Sequence, residues 1–253
     1  MDFSDPKQVA VFFDIHADLP RQGPGNLACA KQALEIVGDL PAVPRVLDVG
    51  CGPGQQTLYL ADLLPTAKIT AIDFYPVFID DLKQRAINAG VADRIDARVG
   101  DMTALDVAPG SIDLIWCEGA AYIMGVENAL RAWKPLLAPG GKMALSEAVW
   151  LKGDPPAPVR ACWEEYPAMK DVAFNRQLVD RCGYTLLGDF VLPEDAWLDD
   201  YYGPLEDRVK KLEAKYQDDP LSRAVWEECR QEIDVYRQYS DYYSYVFLVM
   251  EAA

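Results

Sequence analysis

Short apolar runs, each closed by an acid or a glycine, alternate along the chain with longer stretches whose apolar residues recur at helical spacing. Val46–Val49, Lys68–Asp73, Ile95–Gly100, Ile112–Cys117 and Lys142–Val149 read as buried strands. Leu27–Val37, Gln55–Leu64, Pro76–Asn88 and Glu127–Leu137 read as helices between them. Asn26 is placed to cap the first of these and Gly38 to end it, while Pro76 and Gly90 bracket another. Strand and helix in alternation predict a parallel sheet covered on both faces.

Beyond residue 150 the alternation loosens. Ala157–Lys170 and Gln177–Cys182 read as short helices and Tyr184–Val191 as a strand; residues 193–240 are helical and charged, and Tyr242–Met250 forms an aromatic, β-branched final strand. That makes a seven-stranded α/β sheet in which 48 residues before the last strand are too many for a hairpin and predict a helical cap. Residues 1–25 read as an irregular lead-in, because the Pro and Gly density up to Gly25 argues for a shaped loop rather than a helix. The expected organisation is a lid over 1–25 and one domain over 26–253, with cap elements at about 151–176 and 193–240.

Composition narrows the partners. A net charge of −16 argues against a nucleic-acid substrate, since phosphate binding depends on Lys and Arg. The six cysteines show neither C-x-x-C nor zinc spacing, which points to reduced thiols and no metal. Neither a signal-like N-terminus nor a membrane-length apolar run is present in these 253 residues, so a cytoplasmic protein is expected.

The candidate chemistry starts at Val46–Gly54, Val-Leu-Asp-Val-Gly-Cys-Gly-Pro-Gly. Gly50, Gly52 and Gly54 let the backbone turn where a Cβ would collide, and the following helix presents free amides to the crevice. A Walker loop would need Gly-Lys-Ser/Thr, but Gln55, Gln56 and Thr57 follow. A dinucleotide fingerprint would place its third glycine where Gln55 stands, although Asp73 is at the right distance for a ribose.

Asp48 with G-x-G-x-G, Asp73, Gly100-Asp101-Met102 and Leu136-Leu137-Ala138-Pro139-Gly140-Gly141 together resemble the class I methyltransferases that use S-adenosylmethionine (SAM). The segments Arg21-Gln22-Gly23-Pro24-Gly25, Cys117-Glu118-Gly119-Ala120-Ala121-Tyr122 and Ser146-Glu147-Ala148-Val149-Trp150 resemble a narrower bacterial group akin to the ubiquinone and menaquinone methyltransferases, which does not identify a substrate. The resemblance implies a Rossmann-like sheet with its last strand antiparallel and SAM as cofactor. It implies that Gly50, Gly52 and Gly54 border the methionine part over Asp48, and that Asp73 binds the ribose hydroxyls. Phe74 would flank the adenine, Asp101 and the Met102 amide would read it, and Glu118 and Gly119 would border the methyl-donor end.

An acceptor that carries a proton needs a base. His16 is the single histidine and lies in the expected lid; Glu118, Glu147 and Tyr122 are the other candidates. Aromatics crowd the chain after the fifth strand, Trp150, Trp163, Tyr166, Trp197, Tyr201, Tyr202 and Tyr245 among them. If they converge they would form a pocket for an aromatic or amine acceptor, with Trp150 and Trp197 the first to be expected there; ordinary core packing is the alternative. A small-molecule methyltransferase is the leading reading, with a homodimer allowed for. A SAM-binding regulatory or assembly protein, a protein methyltransferase and an aminopropyl transferase are the alternatives, the last without a supporting motif.

Overall fold

Alternate residues of each central strand point to opposite faces, and both faces are buried. In a computed structural model that describes residues 4–253, Val46, Leu114, Trp116 and Ala144 pack with helices α2 (Leu27–Val37) and α3 (Gln55–Leu63) on one side. Leu47, Val49, Ile115, Cys117, Met143 and Leu145 pack on the other side, against α5 (Val126–Trp133) and α7 (Val172–Arg181). Such two-sided burial is why these strands read as continuous apolar runs.

The parallel strands are β1 (Arg45–Val49), β2 (Lys68–Asp73), β3 (Ile95–Val99), β4 (Ile112–Glu118), β5 (Leu137–Trp150) and β7 (Tyr184–Val191); β8 (Tyr243–Ala252) runs antiparallel to both β5 and β7. Their order across the sheet is β3-β2-β1-β4-β5-β8-β7, with a two-residue strand β6 (Lys170–Asp171) paired to the end of β5. The Rossmann-like sheet with an antiparallel last strand is therefore present, and β6 is one strand more than expected. Order reverses between β1 and β4, so the crevice at the carboxyl ends of these strands is where a ligand fits.

Pro139-Gly140-Gly141, expected as a turn, lies inside β5. The pairing with β4 slips between Ile112↔Leu137 and Leu114↔Lys142, and the extra residues are absorbed as an irregularity with Gly140 at φ 72°. Two helix boundaries also move. The Ala157–Lys170 stretch is helical only over α6 (Ala157–Cys162), whereas α7 starts earlier than expected because the Asp171 side chain caps it, accepting from the Phe174 amide at 2.7 Å.

The lead-in is partly a helix, α1 (Pro6–Ile15), contrary to the expected loop. Asp5 accepts from the amides of Lys7 and Gln8, and Pro6 occupies the first helical position, where its missing N–H is harmless. Val11 and Ile15 are buried in a second core with α9 (Gly203–Tyr216) and α10 (Pro220–Tyr239), the helices of the cap that precedes β8. Arg208 donates to the Asp14 carbonyl at 2.5 Å, and Lys215 pairs with the Asp14 carboxylate at 2.8 Å. Phe13 meets the first turn of α4 (Pro76–Asn88) through Tyr75 and Phe78, at 4.8 and 5.8 Å between ring centroids. The helix thus ties the cap to the start of α4. No described helix is long and apolar enough to cross a membrane.

Candidate active site

The glycine turn is pinned before it meets any ligand. Gly50 and Cys51 both donate their amides to the Ile72 carbonyl, at 2.8 and 3.0 Å, which fixes the turn to the end of β2. All three glycines have positive φ but different neighbours. A Cβ on Gly50 would come within 2.5 Å of Ala120 Cβ, and one on Gly54 would overlap Leu82 of α4. One on Gly52 would touch only Gln22 Cγ, at 3.8 Å, so this edge of the turn faces the opening. Below it Asp48 is fully buried and accepts from Thr57 Oγ1 at 2.6 Å, joining β1 to α3.

Asp73 stands at the carboxyl end of β2, with Oδ2 accepting from the Gly52 amide at 2.8 Å and Oδ1 from the Tyr75 amide at 2.9 Å. Each oxygen keeps a lone pair after these bonds. Burial raises its pKa, against the lowering effect of those amides. Phe74 beside it is 65% exposed, an apolar ring left uncovered at the rim. Asp101 follows β3 and folds back on Thr103, accepting from its amide at 2.8 Å and its hydroxyl at 2.7 Å, which lowers the Asp101 pKa. The Met102 carbonyl accepts from Trp133 Nε1 at 3.0 Å, fixing this loop to α5.

The expected lid segment enters the same site through a buried ion pair. Arg21 Nη2 binds Glu118 Oε2 at the end of β4, with side-chain exposures of 3% and 5%. Arg21 also donates from Nε to the Gly23 carbonyl and from Nη2 to the Pro24 carbonyl, both at 3.0 Å, while Trp116 Nε1 donates to Glu118 Oε1 at 2.8 Å. Gly25 leaves room for the pair, since a Cβ there would stand 2.6 Å from Glu118 Oε2. This contact was not legible from spacing: its partners are 97 residues apart, and the only signal was that Arg21 and Glu118 both fall in segments singled out by resemblance.

Next to this pair opens a cavity of about 690 Å³, bordered by Gln22 and Gly119 on the glycine-turn side and by α6, α10 and the segment from α8 (Asp195–Trp197) to Tyr202 on the other. Trp163, Tyr166, Trp197, Tyr201, Tyr202 and Tyr245 all line it, and Trp150 does not. Tyr201 and Tyr202 close a five-residue π-helical segment, Leu198–Tyr202, and both reach the cavity. The expected convergence of aromatics is present.

The four base candidates lie close to or along this cavity but in different states. His16 lines it, stacked on Phe12 at 3.9 Å, with Nδ1 2.9 Å from the Phe12 carbonyl. A carbonyl only accepts, so Nδ1 carries the proton and Nε2 holds the lone pair; burial lowers the pKa to about 4 and keeps the ring neutral. Glu118 has both oxygens engaged, by Arg21 and Trp116. Tyr122 lines the cavity 5.3 Å from the Tyr166 ring. Glu147 is 2% exposed, accepts from the Ala148 amide at 3.0 Å and is met by the Tyr166 hydroxyl, while its Oε2 has no hydrogen-bond partner; burial raises its pKa to about 7.

Comparison with known proteins places this geometry. Residues 46–141 match the family described as a methyltransferase domain.

A protein of Synechococcus is 43% identical over 101 residues, 39% of this chain and 24% of its own length. A trans-aconitate 2-methyltransferase of Streptomyces coelicolor is 31% identical over 173 residues, 65% of this chain and 52% of that protein. The crystal structure of a SAM-dependent methyltransferase from Geobacter sulfurreducens, in complex with S-adenosylhomocysteine, superposes with a TM-score of 0.81 at 23% identity, covering 96% of this chain and 98% of the other. The chain spans from 24% to 59% of the length of the first five curated relatives. At this level of identity the structural likeness establishes the fold.

The chemistry of the donor set fits SAM. A glycine edge open to the crevice, a carboxylate with one free lone pair on each oxygen and an uncovered ring at the rim match a methionine chain, a ribose diol and an adenine.

Asp48 gives the fold a pH signature. Burial raises its pKa from 3.8 to about 7 against the lowering effect of Thr57. The folded state therefore holds this proton more tightly than the unfolded chain, so the contribution is full below about pH 4 and lost as pH rises through about 7. Asp48→Asn, which retains an acceptor for Thr57, is expected to gain stability relative to wild type as pH rises from about 4 to about 7 in denaturant titrations, with no further gain above. An unchanged difference between the two proteins across that range would reject the assignment.

Proposed function

We propose that the protein is a SAM-dependent methyltransferase that methylates a small-molecule acceptor, aromatic or amine, and releases S-adenosylhomocysteine. One observation carries this reading: the glycine-turn crevice and the aromatic cavity meet at Gln22, at the carboxyl end of β4. Gln22 lies over Gly52 and also lines the cavity, and Gly119, beside the Arg21-paired Glu118, lines it too. A donor in the first space and an acceptor in the second would face each other there. The cavity lies against the cap helices α6 and α10, a concave site that favours a small molecule over a protein segment. All six cysteines are free thiols, which supports the cytoplasm as the location.

SAM, when bound, supplies a methyl group made electrophilic by its sulfonium. The chain's own residues would align and shelter the reaction. Asp73 would hold the ribose diol, Phe74 would cover the adenine, and Asp101 with the Met102 amide would read its edge. Gly50, Gly52 and Gly54 would let the turn approach the methionine part, and Arg21 would fix Glu118 and Gly119 at the methyl end. Glu147 Oε2, buried and unpartnered, is the best placed to hold an acceptor's proton, and the neutral His16 Nε2 is second. Aromatic walls would exclude water from the transfer.

Calorimetric titration with SAM and S-adenosylhomocysteine tests the reading. Micromolar binding is expected for wild type, weakened about 100-fold in Asp73→Ala through loss of two hydrogen bonds to a charged acceptor. Wild-type protein that is folded by circular dichroism yet binds neither compound would overturn it.

A further inference from the structure

The cavity's charge is one-sided. Its lining includes Glu164, Glu165, Glu228 and Glu232, and among the described residues neither lysine nor arginine lines it. Glu232 lines its wall, and a further carboxylate, Glu147, lies behind the lining residues Ala148 and Tyr166. On one side Glu147 is almost fully buried, with Oε2 unpartnered, and is met by the hydroxyl of Tyr166, a lining residue. On the cap side Glu232 of α10 accepts from the Tyr202 hydroxyl at 2.9 Å. Tyr166 and Tyr202, the hydroxyl partners of the two carboxylates, both line the cavity, so each carboxylate is joined to its wall.

A buried carboxylate without a counter-ion is costly, and a cationic ligand would relieve that cost. The aromatic walls point the same way, because ring faces attract a cation and repel an anion. The tricarboxylate for which the Streptomyces coelicolor relative is named would meet the opposite: four lining acids and no cation.

We propose that the acceptor binds as a cation, a protonated amine on a flat apolar body, with its nitrogen held by Glu147 and Glu232 and its body against the Trp197, Tyr201 and Tyr202 rings. This assignment rests on the methyltransferase reading for the word acceptor, but the recognition chemistry is testable without turnover.

Three probes of one shape separate charge from shape: 2-phenylethylamine, 2-phenylethanol and phenylacetate, titrated into the full chain by calorimetry at neutral pH. S-adenosylhomocysteine is titrated first in a separate run, and the probes are measured with and without it. The amine is expected to bind at least about 10-fold tighter than the alcohol, with phenylacetate weakest, as one to two kcal/mol of cation–π and charge contact implies. Glu147→Gln and Glu232→Gln, close in shape to wild type, should each cut the amine-to-alcohol preference about 5-fold or more while S-adenosylhomocysteine binds as before. Equal or tighter binding of the alcohol or phenylacetate would overturn the proposal. So would an undiminished preference in both variants, or no amine binding by protein that binds S-adenosylhomocysteine. An amine preference in protein that binds no S-adenosylhomocysteine would sustain the cationic site and remove the methyltransferase reading instead.

Discussion

Replacing Arg21 by Ala is expected to lower the free energy of unfolding by about 3–5 kcal/mol, the usual consequence of leaving one member of a buried ion pair without its partner. Both side chains are almost fully buried, so water cannot take over the role of the guanidinium. The change also frees the Gly23 and Pro24 carbonyls, which the same guanidinium holds. Arg21→Lys should recover only part of the loss, because one ammonium cannot reproduce a fork that reaches two carbonyls and a carboxylate. Adding Glu118→Gln to Arg21→Ala should recover more, by removing the stranded charge while leaving an acceptor for Trp116. Denaturant titration of the four proteins decides the matter. A loss under about 1 kcal/mol in Arg21→Ala would mean that the pair contributes nothing in excess of its desolvation.

Gly54→Ala is expected to cost about 2–5 kcal/mol. A residue with a Cβ at φ 90° costs about 1–2 kcal/mol by itself. The new carbon would also lie 2.9 Å from Leu82 Cγ and 3.0 Å from its Cβ, too deep in the side chain for a simple rotation, so α4 must shift at about 1–3 kcal/mol more. Because α4 starts two residues after Phe74, that shift would carry Asp73 and Phe74 with it, and affinity for S-adenosylhomocysteine should fall as well. Leu82→Ala vacates the same space, so the double variant should lose less than the two single losses together. Strict additivity would show that the two groups do not compete for that volume.

How far the sequence could be read depended on the range of the signal. The bounds of α2, β2, α4 and β7 matched the expected ones because each end is marked by a neighbouring residue, such as the Asn26 cap, whose side chain accepts from the Cys29 amide, or Gly90 beyond α4. Helix α1 is masked in the sequence by the Pro and Gly density of residues 20–25 beside it, although the segment itself contains neither after Pro6. Strand β6 exists only through its pairing with the far end of β5, and no local pattern marks a two-residue strand. The site divides in the same way. The turn, Asp73 and Asp101 are local features and could be placed by counting residues, while the Arg21–Glu118 pair and the carboxylates of the cavity depend on contacts across the whole fold.

Strand β8 lies between β5 and β7, and both of its edges are filled by strands made earlier in the chain. Until Tyr243–Ala252 has been synthesised, the sheet is divided, and β5 and β7 each present a row of unpaired amides and carbonyls. The cap helices, which come between β7 and β8, must therefore collect on a half-built sheet, and closing it is a late, long-range event of the slow-folding kind. A ribosome-bound or truncated chain ending before residue 243 would be a sticky species, and the final ten-residue strand would be what makes it soluble.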